Sequence, residues 1–260
     1  MMIKQISEKY QMITEVEFLM GTAFSSQIIV ESNQAELLNE IEKRQTELRK
    51  WLIYIDQTFS PFIEDSELMS YNRGEREFFE LSDDMKFVLA SCAQAKTVTK
   101  SAFDANYSVM FEPSGFVKGW AIEEGFKRYL SPLFSLTDVV AMNLNGGGDM
   151  QMSTREYSDW QFNIAVQNPL DKTKMIAKIP MASGAIATSG ISERGHHIVG
   201  ASSEILQTTV IGQHLQEVDV WATALMVNPA LEVPRHLKTF YMTATEEIYE
   251  KKGDTDVKIS

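Results

Sequence analysis

The chain has 260 residues, of which 44% are hydrophobic and 23% are charged, with a formal net charge of −12 and a pI near 4.9. This composition is typical of a globular protein, and we expect a single domain over residues 1–260. The acidic balance excludes binding of nucleic acid through a general basic surface, because that mode needs clustered lysine and arginine side chains.

The cysteine count, the start of the chain and the length of its apolar segments bear on the cellular compartment of the protein. The single cysteine, Cys92, excludes an intramolecular disulfide, and its place in a helical-looking run predicts a buried, inert thiol. The first ten residues lack the apolar core and cleavage site of a signal peptide. No segment approaches the roughly 20 apolar residues of a membrane span. We therefore expect a cytoplasmic protein without membrane insertion.

The first part of the chain is predicted to be one strand followed by helices. Two extended-looking pieces joined at Gly21 predict a strand with a bend over residues 15–30. Apolar residues then recur at helical spacing on a charged background over residues 34–58, which predicts a long amphipathic helix that Pro61 ends. A further helix is predicted from Met85 to about Lys100, after an N-cap at Ser82.

Three stretches of small residues predict loops that a polar ligand can approach. They are Ser114–Gly119, the run Gly146-Gly147-Gly148-Asp149, and Ala187–Gly190. An ordinary tight turn is the alternative explanation for each of them. A helix predicted over residues 120–130 would place Lys118 at a helix N-terminus, where anions are favoured.

The second half is predicted to be rich in strands, and the helices interleave with them irregularly. These features indicate an α+β fold, a single elaborated domain with a mixed sheet and packed helices. A helix is predicted over residues 217–227 and a frayed tail over about 249–260. The predicted strands cover residues 139–144, 161–167, 175–179, 185–188, 208–212 and 239–248.

Asp219 and Thr223 stand four residues apart on the predicted helix, so both side chains face the same way. A carboxylate and a hydroxyl are hard oxygen donors of the kind that Mg²⁺ takes together with waters and phosphate. The alternative is a solvated aspartate with a threonine bonded back to the helix. Spacing alone favours this alternative, and the apolar neighbours of Asp219 narrow the difference, because a carboxylate that is buried needs a cation or donors.

His196 and His197 are predicted to lie in a short loop, where a neutral histidine is suited to act as a general base or to bind a phosphate. The alternative is that both histidines are polar surface residues without a role in catalysis. The chain lacks both the HExxH and the CxxC spacing, which argues against zinc. It also lacks Gly-x-Ser-x-Gly, which argues against a serine acyl-transfer enzyme.

In their order, these motifs resemble those of the ApbE-type FAD:protein FMN transferases. The matching segments are Met20-Gly21-Thr22, Phe59-Ser60 with Asp65-Ser66-Glu67-Leu68, Ala102-Phe103-Asp104, Gly115 to Ala121, Gly147-Gly148-Asp149, Ala187 to Gly190, His197-Ile198 and Asp219-x-x-x-Thr223. The resemblance implies a T-fold-like domain and a magnesium-dependent enzyme. Such an enzyme transfers FMN from FAD to a threonine or serine hydroxyl of an acceptor flavoprotein, in sequences of the Ser/Thr-Gly-Ala-Ser/Thr type, and releases AMP.

The resemblance also implies roles for individual residues. The metal ligands would be Asp219, Thr223 and a main-chain carbonyl near Val117, and the catalytic residues would be His197 and Asp219. The residues along the flavin nucleotide would be Met20, Phe62, Ser114, Gly115, Lys118, Gly148, Asp149, Ser189 and His197.

The sequence departs from the family pattern in three places. Phe62 replaces a common tyrosine and Glu112 a common aspartate, and the family's Asp-Pro after the histidine segment is Gly200-Ala201 here. The last change removes a group that could orient the histidine. Two alternatives therefore stay open: a non-catalytic FAD-binding homologue, and an FAD pyrophosphatase that releases AMP and FMN.

Overall fold

A ten-stranded sheet forms the centre of the protein, whose computed structural model describes residues 1–32, 34–190 and 200–259. The sheet order is β1-β2-β3-β4-β5-β8-β9-β10-β11-β12, and β6 and β7 form a separate two-stranded sheet. The strands are β1 (Met2–Gln5), β2 (Gln11–Leu19), β3 (Thr22–Val30), β4 (Val139–Gly146), β5 (Asp149–Thr154), β6 (Phe162–Gln167), β7 (Met175–Met181), β8 (Gly184–Gly190), β9 (Ile205–Gly212), β10 (Lys238–Thr243), β11 (Ile248–Lys252) and β12 (Thr255–Lys258).

The described strand pairings are all antiparallel, from β1 with β2 to β11 with β12. The α+β class is confirmed, but the expectation of a mixed sheet is wrong. Most neighbouring strands are consecutive in the chain, and short turns join strands antiparallel. The pairing of β5 with β8 spans the β6–β7 hairpin, which leaves the main sheet and packs on one of its faces.

The helices cover the opposite face of the sheet. They are α1 (Ala35–Phe59), α2 (Glu67–Asn72), α3 (Asp83–Val98), α4 (Ser114–Gly125) and α5 (Leu215–Val227). A π-helical turn over Phe126–Leu130 and a 3₁₀ turn over Ser131–Ser135 continue α4. The predicted long helix is confirmed as α1, and the indole N–H of Trp51 ties it to α4 by donating to the Ala121 carbonyl at 2.9 Å.

The sheet separates two apolar cores, because successive residues of a strand point to opposite faces. On β3, Ile28 packs in the core under the helices, whereas its neighbour Ile29 packs in the core under the β6–β7 hairpin. Cys92 belongs to the first core and is 2% exposed. Burial raises the pKa of its thiol to about 12, so the prediction of an inert thiol is confirmed.

Four local predictions are wrong. The piece around Gly21 is a hairpin of two strands, and residues 248–258 form β11 and β12 where a frayed tail was expected. The stretch Ser114–Gly119 is helical, and Ala187–Gly190 lies in β8. In each case the regular structure depends on partner strands or helices that the local sequence pattern does not specify. Across the described ranges, no helix is both long enough and apolar enough to cross a membrane.

Candidate functional site

The glycine run predicted as a ligand loop is a two-residue hairpin turn. Gly146 pairs with Asp149, so Gly147 and Gly148 alone join β4 to β5, with φ of +63° and +100°. A Cβ on Gly147 would lie 2.8 Å from the Thr22 hydroxyl oxygen. The alternative of an ordinary tight turn therefore describes the backbone of this run correctly. The turn nonetheless places Asp149 at the start of β5 and leaves Gly148 on the wall of a cavity.

A second hairpin turn lies beside the first, because β3 pairs with β4 and the Gly147 N–H donates to the Ala23 carbonyl at 3.1 Å. Its two residues are Met20 and Gly21, with φ of +49° and +70°. Such a turn requires positive φ at both positions and favours Asn-Gly. A methionine held in this conformation costs about 1–2 kcal/mol. Its side chain lines a cavity, which is the kind of place where strain is retained for function.

Met20→Asn is expected to raise the free energy of unfolding by about 1 kcal/mol, because asparagine tolerates the left-handed region. The same change is expected to weaken FAD binding, measured by quenching of flavin fluorescence. Glu246→Asn is the matched control, since Glu246 also has positive φ (63°) but lies in the turn between β10 and β11. It should raise stability without changing FAD affinity. Equal FAD affinity of Met20→Asn and wild type would argue against a role for Met20 in binding.

The first cavity has a volume of about 400 Å³ and opens between the Met20 turn, the end of α1 and the start of α4. Phe62 stands at its rim and is 94% exposed, so it is not a core residue. Ser114 and Lys118 line the opposite side. The residues around it are Met20, Gly21, Ile55, Asp56, Phe59, Ser60, Pro61, Phe62, Ser114, Val117 and Lys118.

Lys118, a wall residue of this cavity, forms an ion pair with Asp149. The Asp149 side chain is 1% exposed, and that of Lys118 is 23% exposed. The second carboxylate oxygen of Asp149 accepts the Thr188 N–H at 2.9 Å. Lys118 is the fifth residue of α4, so the prediction that it lies at a helix N-terminus is wrong. The Asp149 carboxylate positions its ammonium group.

A second cavity, of about 390 Å³, lies on the other side of the Gly147–Gly148 turn. One wall is made by this turn together with Thr188 and Gly190 of β8, and the β6–β7 hairpin makes the other. Lys118 lines the first cavity, and its partner Asp149 directly follows Gly148, which lines the second. The ion pair therefore lies between the two cavities.

Asp219 is 3% exposed, although it lies on a helix that also carries half-exposed polar residues. The alternative of a solvated carboxylate is wrong. Helix α4 packs against α5 at Gly119, where a Cβ would lie 2.9 Å from Asp219 Oδ2 and 3.1 Å from the Leu215 carbonyl. One turn further along α5, the Thr223 hydroxyl is 3.2 Å from that of Ser189. Two of the predicted site residues, Thr223 and Ser189, thus meet directly.

Gly119→Ala is expected to lower the free energy of unfolding by about 1–3 kcal/mol, because the added methyl group overlaps Asp219 and the α5 backbone. On helix propensity alone, alanine would stabilise α4 by up to about 1 kcal/mol. Gly115→Ala is the comparison on the same helix: its Cβ would meet the Phe103 ring at 3.2 Å, a looser contact than the one at Asp219, so it should lower stability less. Urea unfolding measures both variants, and a stabilised Gly119→Ala would contradict the close packing of α4 on α5.

The donors around Asp219 fit magnesium better than zinc. No group of three or more His, Cys, Asp or Glu that could hold a metal occurs within residues 1–32, 34–190 and 200–259. A carboxylate, a hydroxyl and a carbonyl are hard oxygen ligands, and Mg²⁺ is typically bound by one or two carboxylates plus substrate phosphates. Val117, whose carbonyl is the third predicted ligand, is two residues before Gly119 and lines the first cavity.

The remaining predicted residues have mixed outcomes. Ser114 lines the first cavity, and its N–H donates to Glu112 at 3.0 Å. Gly115 packs on Phe103, so close packing accounts for that glycine. His197 and its neighbour His196 lie outside the described residues. Sequence reasoning missed Thr188, which orients Asp149; no signal singles out a backbone donor within a strand.

The profile of the ApbE family matches residues 20–112 and 105–244, which together span most of the chain. The chain belongs to the ApbE family. The prediction made from the ordered motifs is confirmed. A search of curated proteins found no match.

Solved structures of ApbE proteins share the fold. The ApbE protein from Thermotoga maritima superposes with a TM-score of 0.74 at 19% identity, covering 93% of this chain and 97% of that one. The flavin transferase ApbE from Vibrio cholerae gives a TM-score of 0.67 at 16% identity, covering 96% and 98%. The apo flavinyl transferase ApbE from Pseudomonas stutzeri gives 0.62 at 14% identity, covering 96% and 94%. The predicted ApbE-type α+β domain is confirmed.

Proposed function

We propose that this ApbE-family chain is a magnesium-dependent FAD:protein FMN transferase. The observation that carries the proposal is the buried Asp219 carboxylate, one helix turn from Thr223 and packed against Gly119, the residue after Lys118. A buried carboxylate with a hydroxyl one helix turn away is the kind of oxygen-donor set that a magnesium ion takes together with phosphate. The family membership and the fold shared with proteins named flavin transferases support the same reading.

The two cavities suit the two halves of FAD. Each has a volume near 400 Å³, which accommodates one planar ring system with its sugar or ribityl chain but not the whole dinucleotide. The Lys118–Asp149 pair lies between them, where the pyrophosphate of a bound FAD would pass. The Lys118 ammonium is a compact cation suited to a phosphate oxygen, and Asp149 holds it in that direction.

The residues that would hold magnesium are Asp219, Thr223 and the Val117 carbonyl, which offers the lone pair that the helix does not use. When bound, the metal would neutralise charge on the pyrophosphate oxygens. In the transfer, the acceptor hydroxyl oxygen forms a bond to the phosphorus of the FMN half. The bond from that phosphorus to the bridging oxygen breaks, and AMP leaves with its electron pair. The hydroxyl proton passes to a base, for which His197 stays the predicted residue.

Mass spectrometry of FAD turnover, with and without magnesium and with a peptide containing Thr-Gly-Ala-Thr, tests this function. AMP together with peptide-bound FMN supports the transferase. AMP with free FMN in the presence of the peptide would indicate an FAD pyrophosphatase instead of a transferase. FAD binding without AMP would leave a non-catalytic flavin-binding homologue. An acceptor flavoprotein with a threonine or serine acceptor site and the cytoplasmic location stay predictions.

A further inference from the structure

Exposed apolar side chains lie on two segments near the first cavity. We name them together the apolar rim; it consists of Phe62, Ile63, Tyr107, Val109 and Met110. Phe62 is 94% exposed and lines the cavity, and Val109 is exposed as fully as in an extended chain. Single apolar residues on a surface need no explanation, but several of them near a pocket are typical of an interaction site.

The loop that carries Tyr107, Val109 and Met110 is held in place at its base. The Glu112 N–H donates to the Ala105 carbonyl at 2.8 Å and closes the loop. The Asn72 side chain, at the end of α2, binds both the N–H and the carbonyl of Phe111 at 2.9 Å. Because the base is anchored, the apolar tip is presented to solvent in a defined position, and docking would cost little ordering entropy.

The two segments of the rim are attached to opposite ends of the same short helix. The Ser66 hydroxyl caps the start of α2 and donates to the Ser60 carbonyl at 2.8 Å, next to the Phe62 segment. Six residues of helix separate this anchor from Asn72 by about 9 Å. Val109 is five residues before Ser114, a wall residue of the first cavity, so chain length alone keeps them within about 18 Å. The rim segments and the cavity are therefore close enough for one docked protein surface to reach both.

The segment that follows Ile63 in the chain is strongly acidic. Residues 64–84 contain eight aspartates and glutamates but two arginines, and Glu64 and Asp65 are exposed directly after Ile63. A partner of matching charge would carry lysine or arginine there.

We propose that the apolar rim docks the acceptor protein of the flavin transfer, an inference that rests on the proposed function. The docked surface presents apolar side chains among lysines and arginines, next to the acceptor hydroxyl. A protein hydroxyl that reaches the first cavity brings the surface around it against the residues at the mouth, where Phe62 stands.

Two fluorescein-labelled peptides with a central Thr-Gly-Ala-Thr test the docking. Leucine and lysine flank the acceptor sequence in one, serine and glutamate in the other. Fluorescence anisotropy gives the Kd of each for the wild-type protein loaded with FAD and magnesium. We expect the leucine–lysine peptide to bind at least tenfold more tightly, with an affinity that falls as salt rises. Equal affinities would overturn the proposal.

Two double variants locate the binding. Val109→Ser with Met110→Ser removes apolar contact, and Glu64→Gln with Asp65→Asn removes charge. Each is expected to raise the Kd of the leucine–lysine peptide at least fivefold while FAD affinity stays unchanged. The control, Val257→Ser with Ile259→Ser, alters similarly exposed residues in and after β12 at the far edge of the sheet. Wild-type affinity in both rim variants would overturn the docking.

Transfer of FMN to the same peptides separates the two proposals. Tight binding that depends on the rim, without any transfer of FMN to the peptide, would reject the transferase and leave the docking surface. FMN transfer that the rim variants do not change, with equal KM for both peptides, would reject the docking and leave the transferase.

Discussion

Replacing Lys118 by methionine is expected to lower the free energy of unfolding by about 3 kcal/mol. The change leaves the Asp149 carboxylate, which is 1% exposed, without the cation that contacts it. Removing one partner of a buried ion pair typically costs about 3–5 kcal/mol, and the Thr188 N–H that Asp149 retains keeps the expected loss at the lower end. Urea unfolding measures the loss.

The double variant Lys118→Met with Asp149→Asn distinguishes lost charge from lost packing. It is expected to recover most of the stability, since no uncompensated charge stays buried. FAD affinity should be lower than that of the wild type in both the single and the double variant, because both lack the cation between the cavities. Lys50→Met is the control: Lys50 pairs with Glu47 on the surface, so its loss should change stability by less than about 1 kcal/mol. Purely additive losses in the double variant would contradict a buried ion pair.

Asp219→Asn is expected to reduce magnesium-dependent release of AMP from FAD by at least about 100-fold. Even groups that only support a metal ligand cost 10–100-fold when removed, so loss of the ligand itself should cost no less. Asparagine has the same shape and no charge, and the metal-free fold should therefore be as stable as wild type or more so. Product formation is followed by mass spectrometry.

Thermal unfolding supplies a second readout that does not depend on turnover. A ligand that binds the folded state raises Tm, so magnesium should raise the Tm of the wild type but not that of Asp219→Asn. Glu217→Gln is the matched control, because Glu217 lies on the same helix and pairs with His236 at the surface. It should keep the magnesium response. The same magnesium-dependent rise in Tm for Asp219→Asn would refute Asp219 as a ligand.

The helices that carry a clear apolar period were predictable from the sequence. The long helix α1 has buried residues such as Ile41, Leu48 and Ile55 at helical spacing on a charged background, and that pattern is local. The same holds for α5, whose inward residues Val218 and Leu225 are buried as expected. A short pattern of this kind needs no knowledge of the rest of the chain.

The ligand loops were not predictable in the same way. Small residues from Ser114 to Gly119 suit a loop or a tightly packed helix equally well, and the structure shows a helix that lies against Phe103 and Asp219. The tail beyond residue 248 has few apolar residues, yet it forms strands because β10 provides a partner. Strand pairing depends on the partner strand, and it leaves little trace in either segment alone.

By itself, the sequence determined the family and the helix α1, and it predicted the oxygen donors Asp219 and Thr223, because the order of motifs and the helical period are properties of the chain. Only the tertiary structure decided that Asp219 is buried, that Lys118 is held by Asp149, and that two cavities flank this pair. Burial and ion pairing depend on which side chains approach from other elements, as Gly119 lets α4 approach α5. That approach is what makes an ordinary i,i+4 pair a candidate metal site.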